Sequence, residues 1–205
     1  MRRYDRWENQ RNTVKSFVSN FEVGSDKVRF RVVQYQNEVF PVTDNQGVSW
    51  SRGSDINDLN TALDTLVHAD SACQACSQFH KAYSSNRGFR LQFRHSRPDV
   101  PKFILAFTDG INGDESIEDI KEDLRVGRQW AADHNAQIFV VAIGDRETFT
   151  ADNPEGLSLS KEYFVNDVSN FMTTGSQGWN ALDTVVPTIT NMICTRIREI
   201  FESLI

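Results

Sequence analysis

Two short motifs in this sequence carry side chains that could bind a metal or react. Thr108-Asp109-Gly110 closes the apolar run Phe103-Ile104-Leu105-Ala106-Phe107, so that an acidic side chain follows directly on a candidate strand. Cys73 and Cys76 form a Cys-x-x-Cys pair, which suits a redox couple, half of a zinc site or a local disulfide. An Asp-Gly pair is also a common turn. The elements around each motif therefore decide its role.

The cysteine pair and the histidines do not have the spacing of a standard zinc finger. His80 follows Cys76 too closely, and the separation of Cys76 from His95 is not a standard one. A redox pair opens a helix directly after a strand, whereas this pair follows a predicted helix. We therefore favour a local disulfide between Cys73 and Cys76, or two free thiols. The surrounding residues 71–98 show little periodicity and are interpreted as an elaborated loop outside the core.

Length and composition predict a single domain over residues 1–205, because 205 residues with 39% hydrophobic side chains can bury a sizeable core. The formal net charge of -6 argues against a nucleic-acid partner, since phosphate binding relies on a basic face. No stretch approaches the roughly 20 apolar residues of a membrane span. The first residues are charged and polar and contain no apolar signal-peptide core.

Hydrophobic periodicity predicts an α/β fold, a doubly wound and mostly parallel sheet flanked by helices, because strands alternate with helices along the chain. In such sheets ligands bind beyond the carboxyl ends of the strands, which is where Asp109 stands. Residues 103–107 are the expected central strand, buried on both faces. Further strands are predicted at residues 28–32, 39–42, 138–143 and 163–165, and helices at residues 7–21, 56–67 and 117–130 and from Pro187 to Leu204.

The order of these elements resembles a von Willebrand factor type A domain. The resemblance rests on residues 100–110, the acidic helix after them and residues 137–144, and it extends from about Arg6 to Ile197. Residues 97–102 and 162–165 are similar to extracellular-matrix and collagen-associated members. The resemblance implies a non-catalytic module that binds a matrix or cell-surface protein, and an extracellular or cell-surface location.

The resemblance also implies a metal-ion-dependent adhesion site. In the family, a divalent ion is held by an Asp-x-Ser-x-Ser loop after the first strand, by a Thr from a second loop and by an Asp from a third. These oxygen ligands are the ones that Mg²⁺ prefers. Asp109 matches the third-loop ligand, and Ser54 the second-loop ligand, with Asn57 as the alternative in another register. The expected ligand-binding rim is completed by Thr108, Gly110 and Asp55.

The Asp-x-Ser-x-Ser loop and the strand before it have no counterpart in this sequence, which begins where that motif would end. We therefore expect a degenerate site in which Mg²⁺ binds weakly or not at all. The absent strand would lie between the strand starting near Val28 and the strand 103–107, so a gap is expected there unless these two pair directly. By the same resemblance, Cys194 is expected to pair with a residue upstream of the first strand.

Two other functions are open at this point. A Rossmann-like enzyme would use the same sheet, but the sequence contains no Gly-x-Gly-x-x-Gly, Gly-x-x-x-x-Gly-Lys-Ser/Thr or Gly-x-Ser-x-Gly motif. An intracellular assembly factor with an A-type domain would keep its cysteines reduced, whereas disulfides would favour secretion.

Overall fold

A computed structural model describes residues 3–35, 39–41, 52–64, 79–84, 88–93, 96–108, 115–144, 148–150 and 158–202. The helices are α1 (Arg3–Val18), α2 (Ile56–Asp64), α3 (Lys81–Ser84), α4 (Phe89–Gln92), α5 (Ile117–Asp133) and α6 (Leu182–Glu202). The strands are β1 (Val33–Tyr35), β2 (Val39–Pro41), β3 (Lys102–Thr108), β4 (Ala136–Ala142), β5 (Thr148–Thr150), β6 (Ser158–Ser160) and β7 (Phe171–Thr173).

The main sheet consists of three parallel strands in the order β3-β4-β7. β3 and β4 pair along their whole length, from Lys102 opposite Ala136 to Thr108 opposite Ala142. β7 pairs with the last part of β4, where Phe171 lies opposite Val140. The parallel α/β sheet predicted from the sequence is confirmed.

Two apolar clusters cover the two faces of this sheet, because successive side chains of a strand point to opposite faces. Ile138, Val140 and Ala142 of β4 pack in one cluster with α3, α4 and α5. Phe139, Val141 and Ile143 pack in the other cluster with α1, α2 and α6. Both faces of β4 are therefore buried, which explains its continuous run of apolar residues.

The prediction that residues 103–107 form the central strand, buried on both faces, is wrong for the described structure. β3 lies at an end of the three-stranded sheet, and its residues from Lys102 to Ala106 are only partly buried. Only Phe107 and Thr108 are buried. The reason is that β3 has β4 on one side and no described strand on the other.

The strands predicted at residues 28–32 and 39–42 correspond to an antiparallel pair, but the first strand begins later than expected. β1 pairs with β2 in antiparallel register, with Val33 opposite Pro41. Residues 29–32 form no strand, and the N–H of Phe30 instead donates to the carbonyl of Gly53 at 2.8 Å. No described residue of this segment forms a ladder with β3, so the described sheet has not closed up across the expected gap.

Two predictions in the C-terminal part of the chain are wrong in detail. Residues 163–165 form no strand: Tyr163 ends a 3-10 turn, and Phe164 and Val165 are buried in the core after it. The strand is β7, a few residues later. Pro187 lies inside α6 rather than in its first turn, because the helix already begins at Leu182.

The expectation that residues 71–98 lie outside the core is contradicted by the described part of that segment. Phe79, Tyr83 and Phe89 are buried in the cluster that also contains α5. Burial raises the pKa of the Tyr83 hydroxyl, which donates to the carbonyl of Phe164 at 2.6 Å.

Within the described part of the chain, no helix is both long and apolar enough to cross a membrane.

Candidate functional site

The ends of three strands meet at the carboxyl edge of the sheet, where the sequence places the predicted site. The carbonyl of Thr108, the last residue of β3, accepts the N–H of Ile143 at 2.8 Å. Thr174 follows β7, and its N–H donates to the carbonyl of Ala142 at 2.9 Å. The hydroxyl of Thr174 accepts the N–H of Gly144 at 2.8 Å. These bonds fix the edge from which the Thr108-Asp109-Gly110 motif continues.

The predicted second loop is a 3-10 turn, Arg52–Ser54, just before α2. Its glycine is required by a close approach, since a Cβ on Gly53 would lie 1.7 Å from the carbonyl oxygen of Phe30. Together with the hydrogen bond between these two residues, this contact fixes the turn against the segment that leads into β1. Ser54, the predicted ligand, is partly buried in this turn.

Asp55, predicted as a rim residue, caps the start of α2. Its Oδ1 accepts the N–H of Asn57 at 2.8 Å and the N–H of Asp58 at 3.1 Å. These are N–H groups of the first helical turn, which have no partner inside a helix. Asn57, the alternative ligand, is exposed in that first turn.

Several predicted site residues lie outside the described residues, namely Asp109, Gly110, Cys73 and Cys76. The convergence of Asp109 and Ser54 at one rim therefore stays a prediction, and so does a disulfide between Cys73 and Cys76. Cys194 is described, and it is a free, exposed thiol on α6.

Comparison with protein families identifies the class of domain to which this edge of the sheet belongs. The family model of the von Willebrand factor type A domain matches residues 2–180, which is most of the chain. The chain belongs to this family. A-type domains are protein-interaction modules, so the carboxyl edge described above belongs to a module of this class. Among curated proteins, none matches this sequence.

Solved structures of proximal thread matrix protein 1 from the mussel byssus have the same fold as this A-type domain. One crystal form superposes with a TM-score of 0.66 at 17% identity and covers 93% of this chain and 44% of the other. A structure of that protein with a zinc-occupied metal-ion-dependent adhesion site motif gives a TM-score of 0.65 at 16% identity, over 93% and 43% of the two chains. The chain thus spans less than half the length of these neighbours.

A second group of polar side chains lies on the other side of the A-type domain from α1 and α6, and we call it the histidine cluster: His80, Lys81, Glu115 and Asp123. The Nε2 atom of His80 lies 3.0 Å from Oε2 of Glu115 and 3.9 Å from Oδ2 of Asp123. The ammonium of Lys81 lies 2.9 Å from the same Glu115 oxygen and 3.0 Å from the Asp123 oxygen.

The electrostatics of the histidine cluster follow from the burial of its imidazole. Burial lowers the pKa of His80, against the opposing effect of Glu115 and Asp123. Burial alone would raise the pKa of Glu115, but the hydrogen bonds from Lys81 and His80 outweigh it and the pKa is lowered. Desolvation alone would lower the pKa of Lys81, but its hydrogen bonds to Glu115 and Asp123 outweigh it and the pKa is raised. Burial thus disfavours the charged form of the imidazole, while the contacts within the cluster favour the charged forms of Glu115 and Lys81.

Sequence reasoning missed the histidine cluster. The acidic run from Asp114 to Asp123 is typical of a solvated helix face, and His80 is one of four scattered histidines. Part of that run does form the start of α5, where Ser116 caps the helix by accepting the N–H of Asp119. The missing signal was tertiary: only the packing of α3 on α5 brings His80 to Asp123.

Proposed function

We propose that this A-type domain is a non-catalytic protein-binding module of matrix or cell-surface type whose metal-ion-dependent adhesion site is degenerate. The observation that supports this most strongly is the family match over residues 2–180, on a parallel sheet whose β3 ends at Thr108, directly before Asp109 in the sequence. We assign no catalytic residue, because the sequence has none of the phosphate-binding or nucleophile motifs of the Rossmann-like alternative.

The donor set at the carboxyl edge supports weak binding of Mg²⁺. Hydroxyl and carboxylate oxygens are the ligands this ion prefers, and Asp109 with Ser54, or with Asn57, would hold it. The remaining positions would fall to water, because the sequence contains no Asp-x-Ser-x-Ser loop. Asp55 is a poor substitute, since its Oδ1 already caps α2. When bound, the ion would offer an open position to a carboxylate of the protein ligand.

The proposed ligand-binding rim then comprises Ser54, Asp55, Asp109 and Gly110, together with Thr108, which is itself buried at the end of β3. Backbone and side-chain groups of this rim would provide most of the contacts. Fibrillar collagen is the probe for this rim, since the sequence is similar to collagen-associated members and the solved neighbours are matrix proteins. We expect the chain to bind an immobilised collagen surface, and to keep most of that binding in EDTA.

A pair of charge reversals tests where the ligand binds. Asp109→Lys should abolish most binding to the collagen surface, because it places a cation in the rim. Asp133→Lys is the matched control, since Asp133 is an exposed residue at the end of α5, beside the opposite edge of the sheet. Equal losses in the two variants, or no binding by the unmodified chain, would contradict the proposal.

We place the protein outside the cell or at its surface. This agrees with the family and with matrix proteins as structural neighbours. Cys194 offers a check, because an exposed thiol in an oxidising compartment pairs with another cysteine. A disulfide at Cys194 in the protein isolated from its natural source is expected. Three reduced cysteines in that material would favour the intracellular assembly factor instead.

A further inference from the structure

The histidine cluster has the donors of a transition-metal site. The Nε2 atom of His80, an oxygen of Glu115 and an oxygen of Asp123 all lie within 4.8 Å of one another. The three residues come from separate places in the chain: before α3, before the cap of α5, and within α5. One imidazole and two carboxylates are a ligand set that Zn²⁺ accepts, and a water completes its tetrahedral shell.

The imidazole of His80 distinguishes this cluster from an ordinary group of surface acids. Its side chain is fully buried, and its Nδ1 has no hydrogen-bond partner in the described part of the chain. Phe79 and Tyr83 on either side of it belong to the core, so the fold fixes the direction of the ring. Nε2 is thereby pointed at the two carboxylates before any ion binds, which is the preorganisation a metal site requires.

The charges of the cluster favour a cation at its centre. The two acidic side chains share one cationic partner, the ammonium of Lys81. Lys81 bridges both carboxylates and so takes the position that a metal ion would occupy. Its side chain is 32% exposed, so it can turn out into water without opening the core.

We propose that His80, Glu115 and Asp123 form a binding site for Zn²⁺, and that the ammonium of Lys81 fills this site when the metal is absent. The site is separate from the adhesion site, because it uses none of the residues matched to the adhesion-site ligands. It also differs from a zinc finger, since it needs no thiolate. The inference does not depend on the proposed function.

The surroundings of His80 limit the affinity. When Nε2 binds a metal, the proton of a neutral imidazole resides on Nδ1, and a metal-bound histidine normally donates that proton to an acceptor. No described residue accepts it here. Loss of such a partner costs roughly 10–100-fold in metal affinity, so we expect a dissociation constant on the order of micromolar rather than nanomolar.

Calorimetric titration of the whole chain with Zn²⁺ tests the proposal through Lys81. Lys81→Met removes the competing cation and should tighten binding by roughly tenfold or more, whereas Glu115→Gln and Asp123→Asn remove a ligand and should weaken it by at least as much. Glu122→Gln is the matched control, because Glu122 lies on the same helix but pairs with Arg125 at the surface. Ser54→Ala should bind zinc as the unmodified chain does, since it alters only the adhesion site.

Cobalt identifies the ligands, because thiolate coordination of Co²⁺ gives an intense near-ultraviolet band that nitrogen and oxygen donors do not. We expect no such band, and displacement of the cobalt by zinc. A thiolate band would instead assign the metal to the cysteines and overturn the proposal. Unchanged zinc affinity in both Glu115→Gln and Asp123→Asn, or no tightening in Lys81→Met, would also overturn it.

A second variant covers the case in which these substitutions disturb folding. The sequence has four histidines, so the triple variant His68→Gln, His95→Gln, His134→Gln leaves His80 as the only imidazole. In a nuclear magnetic resonance spectrum of its ¹⁵N-labelled histidine, zinc should shift the Nε2 resonance at neutral pH. An unchanged spectrum at saturating zinc would show that His80 is no ligand.

Discussion

The hydroxyl of Tyr35 donates a hydrogen bond to the carbonyl of Phe107, on the edge of β3 that faces away from β4. The direction follows from the hydrogen bonds to β4. The carbonyl of Thr108 accepts the N–H of Ile143, the residue directly after β4, and the backbone groups of neighbouring residues in a strand point to opposite sides. Phe103, Leu105 and Phe107 therefore turn their N–H and carbonyl groups outward. Tyr35 satisfies one of these groups.

The outward edge of β3 predicts a pattern of hydrogen exchange. The N–H groups of Phe103 and Leu105 have no partner among the described residues, whereas those of Ile104 and Ala106 bond to β4. The first pair should exchange with solvent faster than the second by roughly tenfold or more. Nuclear magnetic resonance exchange rates measure this directly. Equal protection along β3 would mean that another strand covers the edge.

Gly127 of α5 lies against Tyr83 of α3, and a Cβ on this glycine would be 2.5 Å from the Tyr83 Cβ and 2.9 Å from its carbonyl oxygen. Gly127→Ala should therefore lower the free energy of unfolding by about 1–3 kcal/mol through overpacking, although alanine is the better helix former. Urea unfolding gives the value. Gln129→Ala, an exposed position on the same helix, should change it by less than about 0.5 kcal/mol.

The sequence predicts those elements whose apolar runs are long enough to carry a clear period. β3, β4 and α5 lie where their patterns place them. Tyr163-Phe164-Val165 is equally apolar but too short to separate a strand from a buried turn. β7, whose only apolar residues are Phe171 and Met172, gives no stronger signal. Tertiary packing decides whether such a short apolar run forms a strand or a buried turn.

The two candidate sites differ in the same way: the sequence predicts one of them, and tertiary packing alone forms the other. The carboxyl edge and its Thr108 follow from the order of strands and helices, which is local information repeated along the chain. The histidine cluster does not, because the contact of His80 with Glu115 joins residues 35 positions apart whose spacing has no motif. The core position of Phe79 and Tyr83 was missed for a similar reason, since α3 is only one turn long.

Substitutions of Asp55 distinguish its structural role, as the cap of α2, from a role in binding a ligand. Asp55→Ala should cost about 0.5–2 kcal/mol of stability, because the N–H groups of Asn57 and Asp58 lose their acceptor. Asp55→Ser should restore most of it, since serine also caps helices. Thermal unfolding compares the two. If Asp55→Ser is as unstable as Asp55→Ala, the capping role is wrong.

Stability should fall as the pH drops below about 6.5 because of His80. Burial lowers the pKa of this imidazole, with Lys81 acting in the same direction and Glu115 and Asp123 opposing, so the unfolded chain takes up the proton first. Between the unfolded value near 6.5 and the lower folded one, the free energy of unfolding decreases by up to about 1.4 kcal/mol per pH unit. The lowered pKa of Glu115 acts only below about 4.5.

Urea unfolding at pH 7.5 and pH 5.5 tests this window. His80→Gln should reduce the loss of stability between the two pH values, while Gln129→Ala, at an exposed position of α5 without an ionisable group, should leave it unchanged. The difference between the two pH values is the readout, so a general destabilisation by His80→Gln does not obscure it. An identical loss in His80→Gln would show that the buried imidazole is not the group that titrates.

Calorimetric titration with Mg²⁺ tests the central claim, that this A-type domain keeps too few adhesion-site ligands to hold an ion firmly. With Asp109 and Ser54 as the matched ligands and the rest supplied by water, the unmodified chain should give little heat and a dissociation constant above the micromolar range, and Asp109→Asn should look the same. A micromolar constant that is lost in Asp109→Asn would contradict the claim and show a complete site.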